Sequence, residues 1–207
     1  MNWNRHSNLE GQHAFLSASK SGWLKKTDDE IVDSYQNSFA TTIGTLIHAY
    51  AADCIRFRED LKKRDMRAVR FDLMRKGVPD FAIDIERIFP TLMKYVNDAV
   101  GFAMDPEILL YYSDLCFGTA DSIQLRNDIL RIHDLKTGTT PAKMDQLMIY
   151  AGLFFLEYGY KPENIHTELR IYQLDEIIVC EPEAADIREV MNEIVGKNEV
   201  LQKLKEV

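Results

Sequence analysis

The spacing of apolar positions divides the chain into a helical first half and a second half in which strands and helices alternate. Across residues 39–61, Ile43, Leu46, Ile47, Tyr50, Ala51, Cys54, Phe57 and Leu61 recur at helical intervals with no proline inside, which predicts a long amphipathic helix. Another helix is predicted from near Pro79 through Phe81, Ile85, Ile88 and Phe89. Pro90 either ends it or opens the next helix through Tyr95 and Val96.

Near Pro106 the pattern changes. Residues 108–117 are rich in aliphatic and aromatic side chains and predict a strand, 118–125 a second, and 129–135 a third, with turn chemistry at Arg126, Asn127 and Asp128 between the last two. On the third strand, Leu130, Ile132 and Asp134 share one face and Ile129, Arg131 and His133 the other. Thr140 as N-cap and Pro141 at the first helical position predict a helix that runs to about Tyr158 and stops at Gly159. Residues 165–172 and 176–180 predict two further strands, and Ile187, Val190, Met191, Ile194 and Val195 mark a C-terminal amphipathic helix. The order implies one α/β domain over residues 1–207: a helical part to about residue 105, then a mixed sheet with its helices from about 106.

Composition narrows the setting. A chain of 207 residues with 46% hydrophobic and 28% charged content suits a single soluble domain. No apolar run approaches the roughly eighteen residues needed to cross a bilayer, and the opening residues lack the apolar stretch of a signal peptide. A cytoplasmic protein without a membrane partner is the expectation. The three cysteines, Cys54, Cys116 and Cys180, are far apart and none forms a C-x-x-C pair, so reduced thiols are expected and no disulfide framework or structural zinc.

The formal net charge of -8 argues against a protein that coats nucleic acid, but not against one that binds it locally. Residues 56–76 hold nine basic and four acidic side chains, an excess of +5 in an otherwise acidic chain. That run is either a solvated helix face or a surface that tracks phosphates around a cleft.

Charged residues inside strands demand an explanation. Asp121 sits early in one predicted strand and Asp134 ends another, with Lys136 two residues on and therefore on the face of Asp134. Two carboxylates and an ammonium converging from neighbouring strands suit magnesium or manganese, with the lysine orienting water or offsetting charge on a phosphorus centre. The plain alternative is an exposed ion pair at a strand end and an aspartate in a turn. Gln146 and Tyr150, four apart on the next helix, project from one face, either toward those strand ends or as an ordinary half-buried pair. His48 lies in an apolar helical segment, as a core histidine or as a further metal ligand. Glu107, just before the first strand, is a further candidate acid.

Taken in order, Gly44 with His48, Gly118 with Asp121, Asp134 with Lys136, Thr137 and Gly138, and Gln146 with Tyr150 resemble the RecB-like branch of the PD-(D/E)XK nuclease superfamily. The whole chain is similar to small phage-encoded members of that branch, and His13 to Ser19 followed by Trp23 resembles an opening common there. The resemblance implies a restriction-endonuclease-like core and a Mg2+- or Mn2+-dependent deoxyribonuclease, an exonuclease of DNA repair, recombination or phage DNA metabolism. It implies that His48, Asp121, Asp134 and the carbonyl of Leu135 bind metal. Lys136 would be the catalytic lysine, and Gln146 and Tyr150 would position DNA or that lysine. Relatives that hold an iron–sulfur cluster use three cysteines near the C-terminus; this chain has Cys180 alone there, so no cluster is expected. DNA is the implied partner, with an oligomer or a phage or host protein partner left open. The other readings are an inactive nucleic-acid-binding or assembly module on the same fold, and a phosphoesterase acting on small molecules.

Overall fold

The computed structural model describes residues 5–205; residues 1–4, read above for a signal peptide, lie outside that range. Thr27 starts the first helix, α1 (Asp28–Asn37), with a capping box. Its hydroxyl accepts from the Glu30 amide at 3.3 Å, and the Glu30 carboxylate accepts from the Thr27 amide at 2.8 Å. The long predicted helix is α2 (Ala40–Phe57), and it is shorter than its apolar pattern. Arg58 turns left-handed with φ 59°, so Leu61 is buried from the following loop rather than from the helix.

α3 (Met66–Arg75) precedes α4 (Ile85–Gly101), whose first turn is capped by the Asp84 carboxylate. Pro90 neither ends nor opens a helix; α4 runs through it. The amide that Pro90 lacks would have bonded to the carbonyl of Glu86, which is exposed in the first turn where water can serve it.

Five strands follow, β1 (Asp105–Ser113), β2 (Cys116–Arg126), β3 (Ile129–Lys136), β4 (His166–Gln173) and β5 (Glu176–Cys180), side by side in chain order. All neighbours are antiparallel except β3 and β4, which are parallel. That pair needs a crossover, which α5 (Asp145–Tyr158) supplies, and α6 (Ala184–Lys205) closes the chain. The class is therefore α/β with a mixed five-stranded sheet.

Two predicted boundaries move. A turn at Asp114 and Leu115 splits the strand predicted over 108–117, and the Ser113 hydroxyl accepts from the Leu115 amide at 3.2 Å to close it. The helix predicted to start at Thr140 and Pro141 starts at Asp145 with no side-chain cap. The nearly buried carboxamide of Gln173 overrides the local signal. It donates to the carbonyls of Gly138 at 2.9 Å and Thr140 at 2.7 Å, and accepts from the Ala142 amide at 3.0 Å, fixing 138–142 as a loop.

Alternation along β3 and β4 gives the sheet two apolar faces. Leu135 and Tyr172 join the layer of α2, α3 and α4, with Ile47, Leu92, Tyr95 and Val96. Leu130, Ile132, Leu169 and Ile171 face α5 and α6, where Leu147, Ala151 and Phe155 cover them.

Candidate active site

The site lies where the β2–β3 ladder ends and the β1–β2 ladder skips a residue. The β2–β3 ladder runs from Arg126 opposite Ile129 to Ser122 opposite His133 and goes no further. Between β1 and β2, Pro106 pairs with Ser122 and Ile108 with Ala120, but Glu107 drops out opposite Asp121. Glu107 has φ 55°, a left-handed backbone that a side chain with a Cβ rarely adopts. The irregularity frees both carboxylates from the regular pleat.

Asp121 uses its freedom in two directions. Its Oδ2 accepts the Leu135 amide at 2.8 Å, and its Oδ1 stands 3.2 Å from Nδ1 of His48, which α2 delivers from the helical half. Ligand atoms of His48, Glu107 and Asp121 all lie within 4.8 Å of one another. Donors about 2.1 Å from a small divalent cation stand at most about 4.2 Å apart, so closure by about half an ångström would seat one. One imidazole and two carboxylates are donors that a divalent cation can use.

Asp134 stands outside that compact trio, so Glu107 rather than Asp134 completes it. The Asp134 side chain is 2% exposed and turned to Lys136, whose ammonium lies 3.0 Å from Oδ1 and 2.9 Å from Oδ2. Only the bond to Oδ1 is well directed, and Oδ2 remains a buried acceptor with no donor. Leu135 takes part through its amide, whereas the resemblance implies its carbonyl as a ligand.

Lys136 is held from the other side as well. Its ammonium donates to Gln146 Oε1 at 2.8 Å, and Gln146 Nε2 donates to the Tyr150 hydroxyl at 3.1 Å. Two glycines of the sequence pattern, Gly118 and Gly44, are close approaches, whereas a Cβ on Gly138 would meet open space. A Cβ on Gly118 would lie 2.9 Å from Cε1 of the Tyr150 ring, and one on Gly44 would lie 3.2 Å from Thr137 Oγ1.

Burial and crowding of like charge shift the titrations. Burial raises the Asp134 pKa and the Asp121 charge raises it further, against the opposing pull of Lys136. Burial likewise raises Glu107, with Asp121 adding to it. For His48, burial acts downward, but the hydrogen bond to Asp121 and the charges of Asp121, Asp134 and Glu107 outweigh it, so its pKa rises. Three groups that resist losing their protons share one site, and a bound cation would relieve all of them.

The residues the sequence pointed to therefore meet: His48, Glu107 and Asp121 as a trio, Asp134, Lys136, Gln146 and Tyr150 as a chain of hydrogen bonds beside it. The positive rim expected from residues 56–76 does not form. The cleft over the trio, about 640 Å³, is lined from that run by Arg56 alone. Other cations of the run are engaged locally: Arg58 with the Met104 carbonyl, Arg70 with Asp80, and Arg75 and Lys76 with Asp72. Arg56, which donates to Asp53 at 2.7 Å, lies eight positions beyond His48 on α2, a spacing that could have pointed to it. Gln173 gave no such signal; its role depends on a loop that only the fold brings to it.

Among the described residues no helix is long and apolar enough to cross a membrane. Nothing among curated proteins or solved structures matches the chain. The sequence model of the family described as "Protein of unknown function (DUF2800)" matches residues 13–196. That span takes in most of the chain and every residue of the site, and the chain belongs to the DUF2800 family.

Proposed function

We propose that the chain is a magnesium- or manganese-dependent deoxyribonuclease with a restriction-endonuclease-like core, acting as an exonuclease. The observation that carries this reading is the buried Asp134 carboxylate. It shares Lys136 with Gln146 and leaves one oxygen without a donor, beside a trio of His48, Glu107 and Asp121. Three acids converge there around a single histidine and a single lysine, which is an arrangement for a cation and an anionic substrate together.

His48, Glu107 and Asp121 would hold the cation, with the Asp134 carboxylate and its Lys136 partner beside them. A divalent cation in that place supplies Lewis-acid polarisation of a phosphate oxygen and acidifies water. The chain's own groups do the rest. Asp134 and Gln146 fix the Lys136 ammonium, so its charge is in place to offset negative charge developing on the phosphate. Tyr150, seated on Gly118, holds Gln146 in line. The raised pKa of His48 means that a cation competes with a proton for its imidazole, and the neutral, ligating form is favoured as pH rises.

The test is cleavage of end-labelled linear and circular DNA, single- and double-stranded, with magnesium, with manganese and with chelator. Linear DNA should shorten from its ends with either metal, circular DNA should survive, and chelator should stop the reaction. The Asp121→Asn variant should be inactive throughout. Metal-independent cleavage, or none on any DNA, would overturn the reading.

A further inference from the structure

Two exposed surfaces far apart in sequence have complementary chemistry. The first is a groove of about 590 Å³ between α5 and α6, roofed by the β1–β2 turn. Its lining is apolar: Leu115 of that turn, Ile149 and Leu201 are 38%, 44% and 46% exposed, with Met148, Val190 and Ile194 beside them. Its rim is acidic. Asp145, Asp186, Glu189 and Glu193 border it against one cation, Lys197, which is itself paired with Glu193. A contiguous exposed apolar strip with a charged border is the composition of a binding surface rather than of ordinary solvated helices.

The second surface is the outward face of α3. Its inward residues, Val69 and Leu73, are buried in the core. On the other side Arg67, Phe71, Met74 and Arg75 follow one another at positions i, i+4, i+7 and i+8, which makes a stripe. Phe71 is 68% exposed and Met74 38%. Lys62 and Lys63 extend the positive charge just before the helix, and both are exposed. An apolar stripe flanked by cations therefore stands on the same chain as an apolar groove flanked by carboxylates.

We propose that this chain self-associates, with the α3 stripe of one copy seated in the α5–α6 groove of another. Phe71 packs on the apolar lining beside Ile149, and Arg67 and the neighbouring lysines meet the acidic rim. The two patches are different, so the contact is head-to-tail; a row of copies keeps one free stripe at one end and one free groove at the other until a ring closes. The occupant is a second copy because its charge and its apolar stripe answer both halves of the groove. The cations on and just before α3 are then interface elements. The proposal does not depend on the chemistry of the active site.

Sedimentation velocity on the full chain tests it, over a range of protein concentrations at low and high salt. The parent should associate at low salt, with a dissociation constant that rises at least about tenfold at high salt, because charge complementarity is screened. Phe71→Asp and Ile149→Arg, both at exposed positions, should each be monomeric with unchanged circular dichroism. Mixed in equal amounts, the two variants should form a one-to-one dimer and nothing larger, since one has an intact groove and the other an intact stripe. A parent that stays monomeric at low salt overturns the proposal. So does association that Ile149→Arg abolishes and Phe71→Asp leaves intact, which would mean that groove packs on groove. A mixture that remains monomeric overturns it as well.

Discussion

His133 and Asp134 are neighbours on β3 and face opposite sides of the sheet, and their surroundings could hardly differ more. Behind the sheet, His133 is fully buried in a network that balances its own charge. Its Nδ1 lies 3.3 Å from the Tyr172 hydroxyl, which donates to Asp98 at 2.7 Å. Arg170 bonds Asp98 and Glu168, Arg131 bonds Glu168, and both guanidinium groups stack on Phe102. Two cations thus meet two carboxylates. Around Asp134 and the trio three acids meet one lysine, so the charges do not balance. A structural polar cluster satisfies its charges internally; a site for a ligand leaves a deficit for the ligand to fill.

The largest expected effect follows from that deficit. Asp134→Asn keeps the shape of the side chain and removes its charge, which frees Lys136 and weakens the field on the cation. Metal-dependent DNA cleavage should fall by about a thousandfold, in the range seen when one electrostatic contact at a reacting centre is lost. Circular dichroism should be unchanged. Retention of more than about a tenth of the activity would return Asp134 to the status of a simple ion pair.

The balanced side should respond in the opposite currency. Arg170→Ala strips Asp98 and Glu168 of a shared partner and takes one guanidinium from Phe102. Urea unfolding should show a loss of about 3 kcal/mol, as when one member of a largely buried pair is removed. The folded fraction should cleave DNA within about twofold of the parent. Strong inactivation of the folded fraction would mean that the two faces of β3 are coupled, and the comparison would fail.

How far the sequence foretold this contrast depends on where each signal lies. Asp121, Asp134, Lys136, Gln146 and Tyr150 were legible because strand alternation and i, i+4 spacing place them on shared faces. The helix start at Thr140 and Pro141 was a sound local signal that failed because Gln173, more than thirty residues later, claims that loop. Glu107 was visible only as a nearby acid, since its place in the trio comes from a left-handed backbone within β1. The His133 network was invisible, because alternation gives a strand residue its face but not its partners from β4 and α4. Short-range geometry could be read; long-range hydrogen bonds could not.

A smaller effect concerns pH in the metal-free protein. His48, Glu107 and Asp134 all have folded-state pKa values above their ordinary ones, so each binds its proton more tightly when the chain is folded. The stability they contribute is present below their ordinary values and is lost as pH rises through the raised ones. With the opposing titration of His133 removed by His133→Leu, the thermal midpoint of the metal-free protein should therefore fall by a few degrees between about pH 5 and about pH 8. Manganese or magnesium should restore more at the alkaline end, where the ligands are free of protons. A midpoint that is flat without metal, or a metal effect larger at pH 5, would show that His48, Glu107 and Asp134 are not proton-hungry and that the site does not take up the cation.

The smallest effect at neutral pH belongs to His133, and its sign is the reverse. Burial first, then the Arg170 and Arg131 charges, press its pKa down to about 3, so the folded state holds a neutral imidazole. The Tyr172 hydroxyl gives its proton to Asp98, which makes Nδ1 the protonated nitrogen and leaves Nε2 as a buried acceptor without a donor. His133→Leu removes that acceptor and one long hydrogen bond together, so stability at pH 7.5 should change by less than about 1 kcal/mol. A group with a depressed folded value stabilises above its unfolded pKa and loses that contribution as pH falls below it. In the parent, the unfolded histidine takes up a proton below about pH 6.5 while the folded one does not, a cost of about 1–2 kcal/mol by pH 5. The leucine variant is exempt from that cost, so its urea midpoint should overtake the parent's as the solution is acidified, even as the His48 side gains stability in both. Parallel pH curves for parent and variant would show that His133 already carries a proton when folded, and the contrast between its closed network and the open acid site would lose its clearest difference.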